Sequence, residues 1–311
     1  MTGAKTDMYK ITVPATSANV GAGFDTSGIA VSLYNTVYFA ASDRVDIRSL
    51  DEVKIPIGTD NLVFRAAEML FVRAGKKLSG LCLRQINNIP LTRGLGSSSA
   101  CIVAGLLGAN AMLNNMYSNG ELADIAALLE GHPDNVMPAF LGGFSTSVIQ
   151  DDGTVLYTHF DIEQSLDFYV FVPPFELSTE VARSVLPKTV LYSDAVFNLS
   201  RSGLLTASFA SKDYRLLKEA VRDRIHQPFR LSMIEGGNEI FELAYSFGAL
   251  AAYVSGAGSS LMAIVSMDNV SFVNRIEDAL KQNKITAQYK IFRLKADNRG
   301  ATIKPVSGIP I

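Results

Sequence analysis

Residues 89–110 read IPLTRGLGSSSACIVAGLLGAN. Gly94 and Gly96 flank Leu95, three serines follow, and an apolar run of helical length follows the serines. A glycine-rich turn feeding a helix exposes backbone N–H groups where the helix dipole is positive, and both features suit a phosphate. The glycines let the backbone approach an anion with no Cβ in the way. A plain turn with Ser97 as N-cap is the simpler account, but one cap explains one serine, not three serines with paired glycines. No lysine follows the glycine, so this is not a Walker A loop, and the spacing is not GxGxxG.

Glu130 ends the apolar stretch ELADIAALLE, a helical position where the dipole disfavours an anion by about a few tenths of a kcal/mol. A nearby cation would account for it. The hydroxyl of Ser98 at one helix start and the Glu130 carboxylate suit Mg²⁺, which takes few protein ligands and keeps waters. A solvated surface glutamate is the plain alternative. In EGHPDNV, residues 130–136, His132, Asp134 and Asn135 crowd around a proline. They read either as a helix stop followed by a new N-cap or as a polar pocket wall. VPATSANVGAGFDTSG sets Asn19 and Asp25 around Gly21 and Gly23 directly after a strand, as a turn-rich loop or a substrate-contacting one. VSGAGSSLMAIV, residues 254–265, has more small residues than a hairpin turn needs, which suggests close packing against another loop.

These stretches need a scaffold. KITV at 10–13 and IAVSLYNTVYFAAS read as strands, and LCLRQINN as another. DNLVFRAAEMLFVRAG reads as a helix with Asp60 as N-cap and Gly75 as its stop. SSSACIVAGLLGANAML is apolar on all sides and so should be a central, buried helix. A second helix ends at Gly131 and Pro133, and strands are expected near 143–149 and 167–172. After PPF at 173–175 helical patterns fill roughly 178–248. The unit AAYVSGAGSSLMAIVS, a helix near 268–282 and a final strand near 289–294 follow. Strands and helices mix without a regular βαβ alternation, which indicates α+β. The expected division is 1–165 and 166–311.

The 311 residues are 48% hydrophobic and 19% charged, with formal net charge -2. That fits one large or two ordinary globular domains and gives no electrostatic case for binding nucleic acid or an anionic membrane. No stretch has the roughly 18 uninterrupted apolar residues of a membrane span. The N-terminus, with Lys5, Asp7 and Lys10, lacks an apolar core of signal-peptide type, so a cytoplasmic protein is expected. Cys82 and Cys101 are expected to be buried free thiols in apolar surroundings. His132, His159 and His226 are scattered and no zinc-type spacing occurs.

Several stretches, in register, resemble the GHMP kinase superfamily. Pro90 with Gly94-Leu95-Gly96-Ser97-Ser98-Ser99-Ala100 is similar to its phosphate-loop motif, and SGAGSS at 255–260 to its C-terminal glycine motif. Within the superfamily, PATSANVGAGFD, EGHPDNV, ELSTEVARSVLP (176–187) and IHQPFR (225–230) resemble the homoserine kinase family. The resemblance covers nearly the whole chain. It implies a two-domain GHMP kinase fold, with a first domain like domain 2 of ribosomal protein S5 and a ferredoxin-like second domain. It also implies ATP-dependent, Mg²⁺-dependent phosphorylation of the L-homoserine hydroxyl, a step towards threonine.

Carried over by position, Pro90, Leu91, Thr92, Arg93, Gly94, Leu95, Gly96, Ser97, Ser98, Ser99 and Ala100 wrap the ATP phosphates. Ser98 and Glu130 bind Mg²⁺, and Asn61 lies near adenine. Asn19, Asp25, His132, Asp134, Asn135, Arg183 and Arg230 form the amino-acid pocket. Homoserine is a zwitterion: its carboxylate suits a forked guanidinium, and its ammonium suits Asp25, Asn19 or Asp134.

Mevalonate-type relatives carry an Asp where Asn135 stands, and an amide is no base at neutral pH. Asn135 therefore orients the hydroxyl, with Ser98 and Glu130 completing the catalytic set. The family more often has proline where Ala22 and Ser259 stand. Arg93 is left between touching a phosphate and facing solvent. Another GHMP-type kinase, a non-catalytic binding protein of the same fold and a dinucleotide oxidoreductase are the competing functions. A homodimer is the assembly carried forward.

Overall fold

The computed structural model describes residues 8–308. Lys5 and Asp7 lie outside the described residues. The first half is built on two long antiparallel strands, β1 (Met8–Ala18) and β2 (Ser27–Ala41). Their alternation of apolar and polar residues buries one face, and the register shifts at Pro14/Ala15, where proline cannot donate to a ladder. The predicted strand at 10–13 thus continues through the small residues PATSA to the glycine loop.

β2 is long enough to serve two neighbours. Asn35–Ala41 pairs with β4 (Leu81–Asn87), and Ser27–Ile29 pairs with β5 (Phe144–Ile149). β3 (Asp46–Ser49) runs parallel to β4, and β6 (Val155–Phe160) pairs with β5. These two short strands carry weak patterns; three residues of β6 are exposed in a row. The predicted close of the chain at 289–294 is corrected by a further strand, β11 (Thr302–Val306), which pairs with β1. Its run TIKPV is exposed and contains a proline, tolerated because β11 is an edge strand. The chain therefore returns to its first sheet.

α1 (Leu62–Arg73), α2 (Ser97–Met112), α3 (Asn119–Glu130) and α4 (Val136–Leu141) complete this half. The cap of α1 is Asn61 and not Asp60. The Asn61 Oδ1 accepts from the Val63 and Phe64 amides, and a residue one position earlier stands outside capping reach. α2 is the central buried helix that its composition predicts, with apolar residues on every side. Its cap is Gly96 in the left-handed region, not Ser97, so no side chain occupies the first-turn amides. α3 opens with a Ser118/Glu121 capping box and ends at left-handed Gly131.

The second sheet has the order β10-β7-β9-β8 and is antiparallel throughout. Its strands are β7 (Leu166–Val172), β8 (Ala251–Val254), β9 (Leu261–Ser266) and β10 (Lys290–Leu294). Between β7 and β8 lie α5 (Thr179–Ser184), α6 (Tyr192–Ser211), α7 (Leu217–Ala220), α8 (Gln227–Leu231) and α9 (Gly237–Ser246). α10 (Phe272–Leu280) lies between β9 and β10. Strand, helices, two strands, helix, strand in this order is the ferredoxin-like arrangement. The architecture is α+β in both halves. The expected 165/166 division falls directly before β7.

α1 and α2 approach closely where Gly105 faces the first turn of α1: a Cβ there would collide with the Val63 carbonyl oxygen. Gly105→Ala should therefore destabilise the fold by about 1–3 kcal/mol, opposite in sign to an ordinary Gly→Ala change inside a helix. The urea midpoint reads this out, and an unchanged or raised midpoint would contradict the close approach.

Candidate active site

A cleft of about 440 Å³ opens between the two sheets' loops. Along one side run Pro90 to Ser98, the whole glycine-rich turn and the start of α2. Gly94 and Gly96 both have positive φ, 69° and 67°, as does Thr92 at 51°. The loop is held from behind. Thr16 N–H donates to the Leu95 carbonyl at 3.1 Å, and Ser255 Oγ donates to the Gly94 carbonyl at 2.7 Å. A Cβ on Gly94 would collide with the Ser255 carbonyl oxygen. The packing of SGAGSS against another loop, expected from its small residues, is the packing observed.

The turn thereby leaves its first-turn amides facing the cleft with no side-chain cap. Ser97 Oγ is buried there without a hydrogen-bond partner. That orphaned hydroxyl, the uncapped amides and the positive helix end fit a phosphate. Ser99 and Ala100, also expected in the phosphate contact, are fully buried behind the loop and do not line the cleft. Arg93 neither faces free solvent nor points only at the cleft. Its guanidinium reaches Glu176 at 3.5 Å and the Pro174 carbonyl at 3.4 Å, tying the loop to the segment after β7.

Ser98 and Glu130, 32 residues apart, meet: Ser98 Oγ donates to Glu130 Oε1 at 2.6 Å. Both line the cleft. Two oxygen donors side by side next to a phosphate-type loop are a donor set for a hard cation that takes its remaining ligands from phosphates and water. Among the described residues no group of three or more His, Cys, Asp or Glu side chains gathers to hold a metal by itself. Cys101, one turn into α2, also borders the cleft; burial, helped by Glu130, pushes its thiol up to about 12. Both cysteines are free, and both are half-buried.

α3 stops at Gly131, and the chain turns through His132 and Asp134 into α4. His132 Nδ1 lies 2.7 Å from Asp134 Oδ1. Burial disfavours the charged imidazole, but the Asp134 hydrogen bond, with the charges of Asp134, Glu130 and Asp25, outweighs it and raises the His132 pKa. His132 lines the cleft, whereas Asp134 is fully buried and acts through His132. Asn135 lines the cleft beside the glycine-rich turn: a Cβ on Gly96 would stand 3.0 Å from Asn135 Oδ1. That oxygen accepts from Thr16 Oγ1 at 2.8 Å, which leaves the amide N–H₂ as the group Asn135 offers.

The other end gathers Asn19, Arg183 and Arg230 from three distant stretches, while Asp25, expected in the same pocket, does not line the cleft and joins them through Arg183 and Asn19. Asn19 and Asp25 both adopt left-handed backbone, and Asn19 Oδ1 accepts from the Asp25 N–H at 2.8 Å, which closes the loop. Arg183 of α5 forms a two-pronged pair with Asp25 at 3.0 and 2.7 Å. Its hydrogen bond to Asp25 raises its pKa further. Arg230 of α8 is fully buried, and its Nη1 donates to the Gly256 carbonyl at 2.9 Å. Burial, then the like charge of Arg183, draws it down to about 10, so it stays a cation at neutral pH. Its Nε is buried with no partner. Both guanidiniums lie over the Phe24 ring, at 5.6 and 5.1 Å.

Asn61 lines the opposite end with Lys54, Ile55 and Pro56. Its amide is fully used: the oxygen caps α1, and Nδ2 donates to the Pro56 carbonyl at 2.9 Å and to Gln85 Oε1 at 2.7 Å. Asn61, expected near adenine, therefore has its amide engaged within the protein at this end. Sequence reasoning missed Gln85, Lys54, Thr16 and Thr179. Gln85 alternates inward from an ordinary strand and Thr16 sits in a strand of small residues, so neither carries a local signal. Thr16→Val keeps the shape but removes the donor that holds the Asn135 oxygen. We expect kcat to fall about tenfold, the scale of one lost buried hydrogen bond, with KM unchanged. Steady-state kinetics decide it, and an unchanged kcat would count against the contact.

The GHMP kinase N-terminal domain model matches residues 61–143, and the GHMP kinase C-terminal model matches 205–284. A homoserine kinase of Clostridium beijerinckii is 42% identical over 298 residues, 95% of this chain and 98% of that protein. One of Caldicellulosiruptor saccharolyticus is 41% identical, covering 95% and 96%. The crystal structure of homoserine kinase from Cytophaga hutchinsonii superposes with a TM-score of 0.84 at 28% identity, covering 98% of this chain and 99% of that one. Full-length matches at this identity, on the fold and around the cleft described above, place the chain in the homoserine kinase family of the GHMP kinases.

Proposed function

We propose that the chain transfers the γ-phosphoryl group of ATP to the side-chain hydroxyl of L-homoserine. The observation that carries this reading is the joining of two chemically opposite ends in one cleft. An uncapped helix start with Ser98 and Glu130 stands at one end, two arginines, one of them paired with Asp25, at the other, and Asn135 beside the glycine-rich turn.

The uncapped amides at Ser97 and Ser98 bind phosphate oxygens as fixed donors, without reorganising as charge moves. Ser98 and Glu130 are the residues that would hold Mg²⁺, which when bound supplies positive charge to the phosphates. The substrate's carboxylate suits Arg230, whose Nε is buried and unpartnered, and Arg183. Its ammonium suits Asp25. A zwitterion thus offers the Asp25–Arg183 pair a new partner for each charge, whereas a neutral alcohol offers neither.

Asn135, its oxygen held by Thr16, donates an N–H to the reacting hydroxyl and cannot take its proton. Among the described residues, Glu130 is the one carboxylate in the cleft lining, engaged with Ser98, while Asp25 stands outside the lining and is paired with Arg183. The proton accordingly leaves through a phosphate oxygen or water. The fold's mevalonate and sugar kinases make a different acceptor the nearest competing reading, and charge complementarity at Arg183, Arg230 and Asp25 favours the amino acid.

ADP release measured with L-homoserine, mevalonate and a hexose as sole acceptors should show kcat/KM for homoserine at least about a hundredfold above the others. Parity with mevalonate would overturn the assignment. Ser98→Ala and Glu130→Gln should each raise the Mg²⁺ concentration for half activation by at least the roughly tenfold that loss of a metal's outer-shell partner costs. The kcat–pH profile should lack a carboxylate-type pKa, and Asn135→Asp should introduce one. A carboxylate-type pKa in the parent that disappears on changing Asp25 or Asp134 would refute the absence of a side-chain base.

A further inference from the structure

His226 is fully buried at the start of α8, outside the cleft, and the mechanism above does not use it. Its ring joins the two walls of the amino-acid end. Nε2 lies 2.7 Å from the Gly21 carbonyl oxygen, in the loop that carries Asn19 and Asp25. Nδ1 lies 3.3 Å from Arg230 Nη1. The ring also stacks on Phe24, with centroids 5.1 Å apart and planes 24° from parallel. That same phenyl ring lies under both guanidiniums.

The partners fix the protonation state. A carbonyl oxygen only accepts, so Nε2 must carry the proton. A guanidinium only donates, so Nδ1 must be bare. Both contacts hold together only in the neutral Nε2–H form. We propose that His226 is a positioning residue for homoserine recognition: as a neutral imidazole it locks Arg230 to the Gly21–Asp25 loop and so sets the spacing between the carboxylate and ammonium sites. This rests on the homoserine kinase reading.

The surroundings support that form. Asp223, on the connection before α8, lies 3.7 Å from Nε2. Its oxygens are already taken by the His226, Gln227 and Ile225 amides and by Asn198 Nδ2, so it caps the turn and does not call for an imidazolium. Arg230 faces the ring from α8 and Asp25 acts from the loop, with Arg183 beyond Phe24. Burial, the largest influence, and Arg230 hold the imidazole's pKa below its ordinary value against Asp223, the Gly21 carbonyl and Asp25. Protonation would set an N–H against a guanidinium N–H and release Arg230. The contact is therefore present above the imidazole's pKa and lost as pH falls through it.

Three variants separate the two contacts. In His226→Asn an amide oxygen takes the place of Nδ1, in His226→Gln an amide N–H takes the place of Nε2, and His226→Phe keeps only the stacking. Parent turnover of L-homoserine with Mg-ATP is measured first, and its absence would defeat the family reading and not this proposal's geometry. With turnover in hand, His226→Phe should raise KM for homoserine about tenfold, the scale of one hydrogen bond lost by a buried charged group, with KM for ATP within about twofold. His226→Asn should recover part of that loss. The parent's KM for homoserine should rise on the acid side, and this limb should vanish in His226→Asn. Equal rises in both KM values, or an acid limb that persists in His226→Asn, would overturn the proposal. If His226→Phe does not fold, the Asn and Gln variants carry the same comparison.

Discussion

The architecture turns on one side-chain-poor contact, the seating of the loop at 92–96 against the loop at 255–260. Ser255 Oγ donates to the Gly94 carbonyl, the Ser260 N–H donates to the Arg93 carbonyl at 3.2 Å, and Gly256 N–H donates to the Ala18 carbonyl at 2.9 Å. Backbone meets backbone here, which only glycine permits at position 94, because a Cβ would occupy the space of the Ser255 carbonyl oxygen. The contact joins the first sheet's strand end, the phosphate-type loop and the second sheet's β8–β9 turn. It therefore fixes the start of α2 relative to Arg230, whose Nη1 donates to the Gly256 carbonyl in the same turn. The two ends of the cleft are set by one junction.

α2 shows how the core and the site divide one element. From Ala100 onward it is buried on nearly every side, against α1 at Gly105 and the Phe39 ring at Gly108. A helix packed this way cannot shift along its axis without opening voids or clashes. Its N-terminal amides inherit that rigidity. Left-handed Gly96 in place of a serine cap leaves them unoccupied, which gives up a local stabilisation of about a few tenths of a kcal/mol and keeps these amides open to an anion. Local propensity and function conflict here, and the buried remainder of the helix compensates.

Much of this was legible in the sequence because the signals were local. Paired glycines before serines, the apolar α2 run and the small residues at 255–260 each point to their structural role without knowledge of the fold. The α+β class followed from the order of elements, and the ferredoxin-like second half from the resemblance alone. What was not legible depended on distance. Ser98 and Glu130 are plain alone and become a donor pair only when α3 ends beside α2. β11 has an exposed, proline-bearing sequence that gains its identity from pairing with β1. Asp60 and Asn61 are equivalent as capping types, and one residue of phase decides between them. Asp134 was grouped with the pocket by its sequence neighbours, yet it is fully buried and reaches the cleft through His132.

The charges around Arg230 show why this end of the cleft is built from three stretches. Two arginines over one phenyl ring repel, and the like charge of Arg183 depresses Arg230. A fully buried guanidinium with no carboxylate at hydrogen-bond distance is costly unless carbonyls and fixed dipoles share its charge. Here Gly256 and a neutral imidazole do so, Phe24 supplies a π-face, and Asp25 balances Arg183 instead. Gly21, packed so that a Cβ would collide with the Val221 backbone, presses the loop bearing Asp25 against the segment leading into α8. Loop, ring and guanidinium are thus one packed unit, and moving any of them exposes a buried charge. That cost keeps the anionic and cationic ends at a set separation, which is the property a site for an amino-acid zwitterion requires.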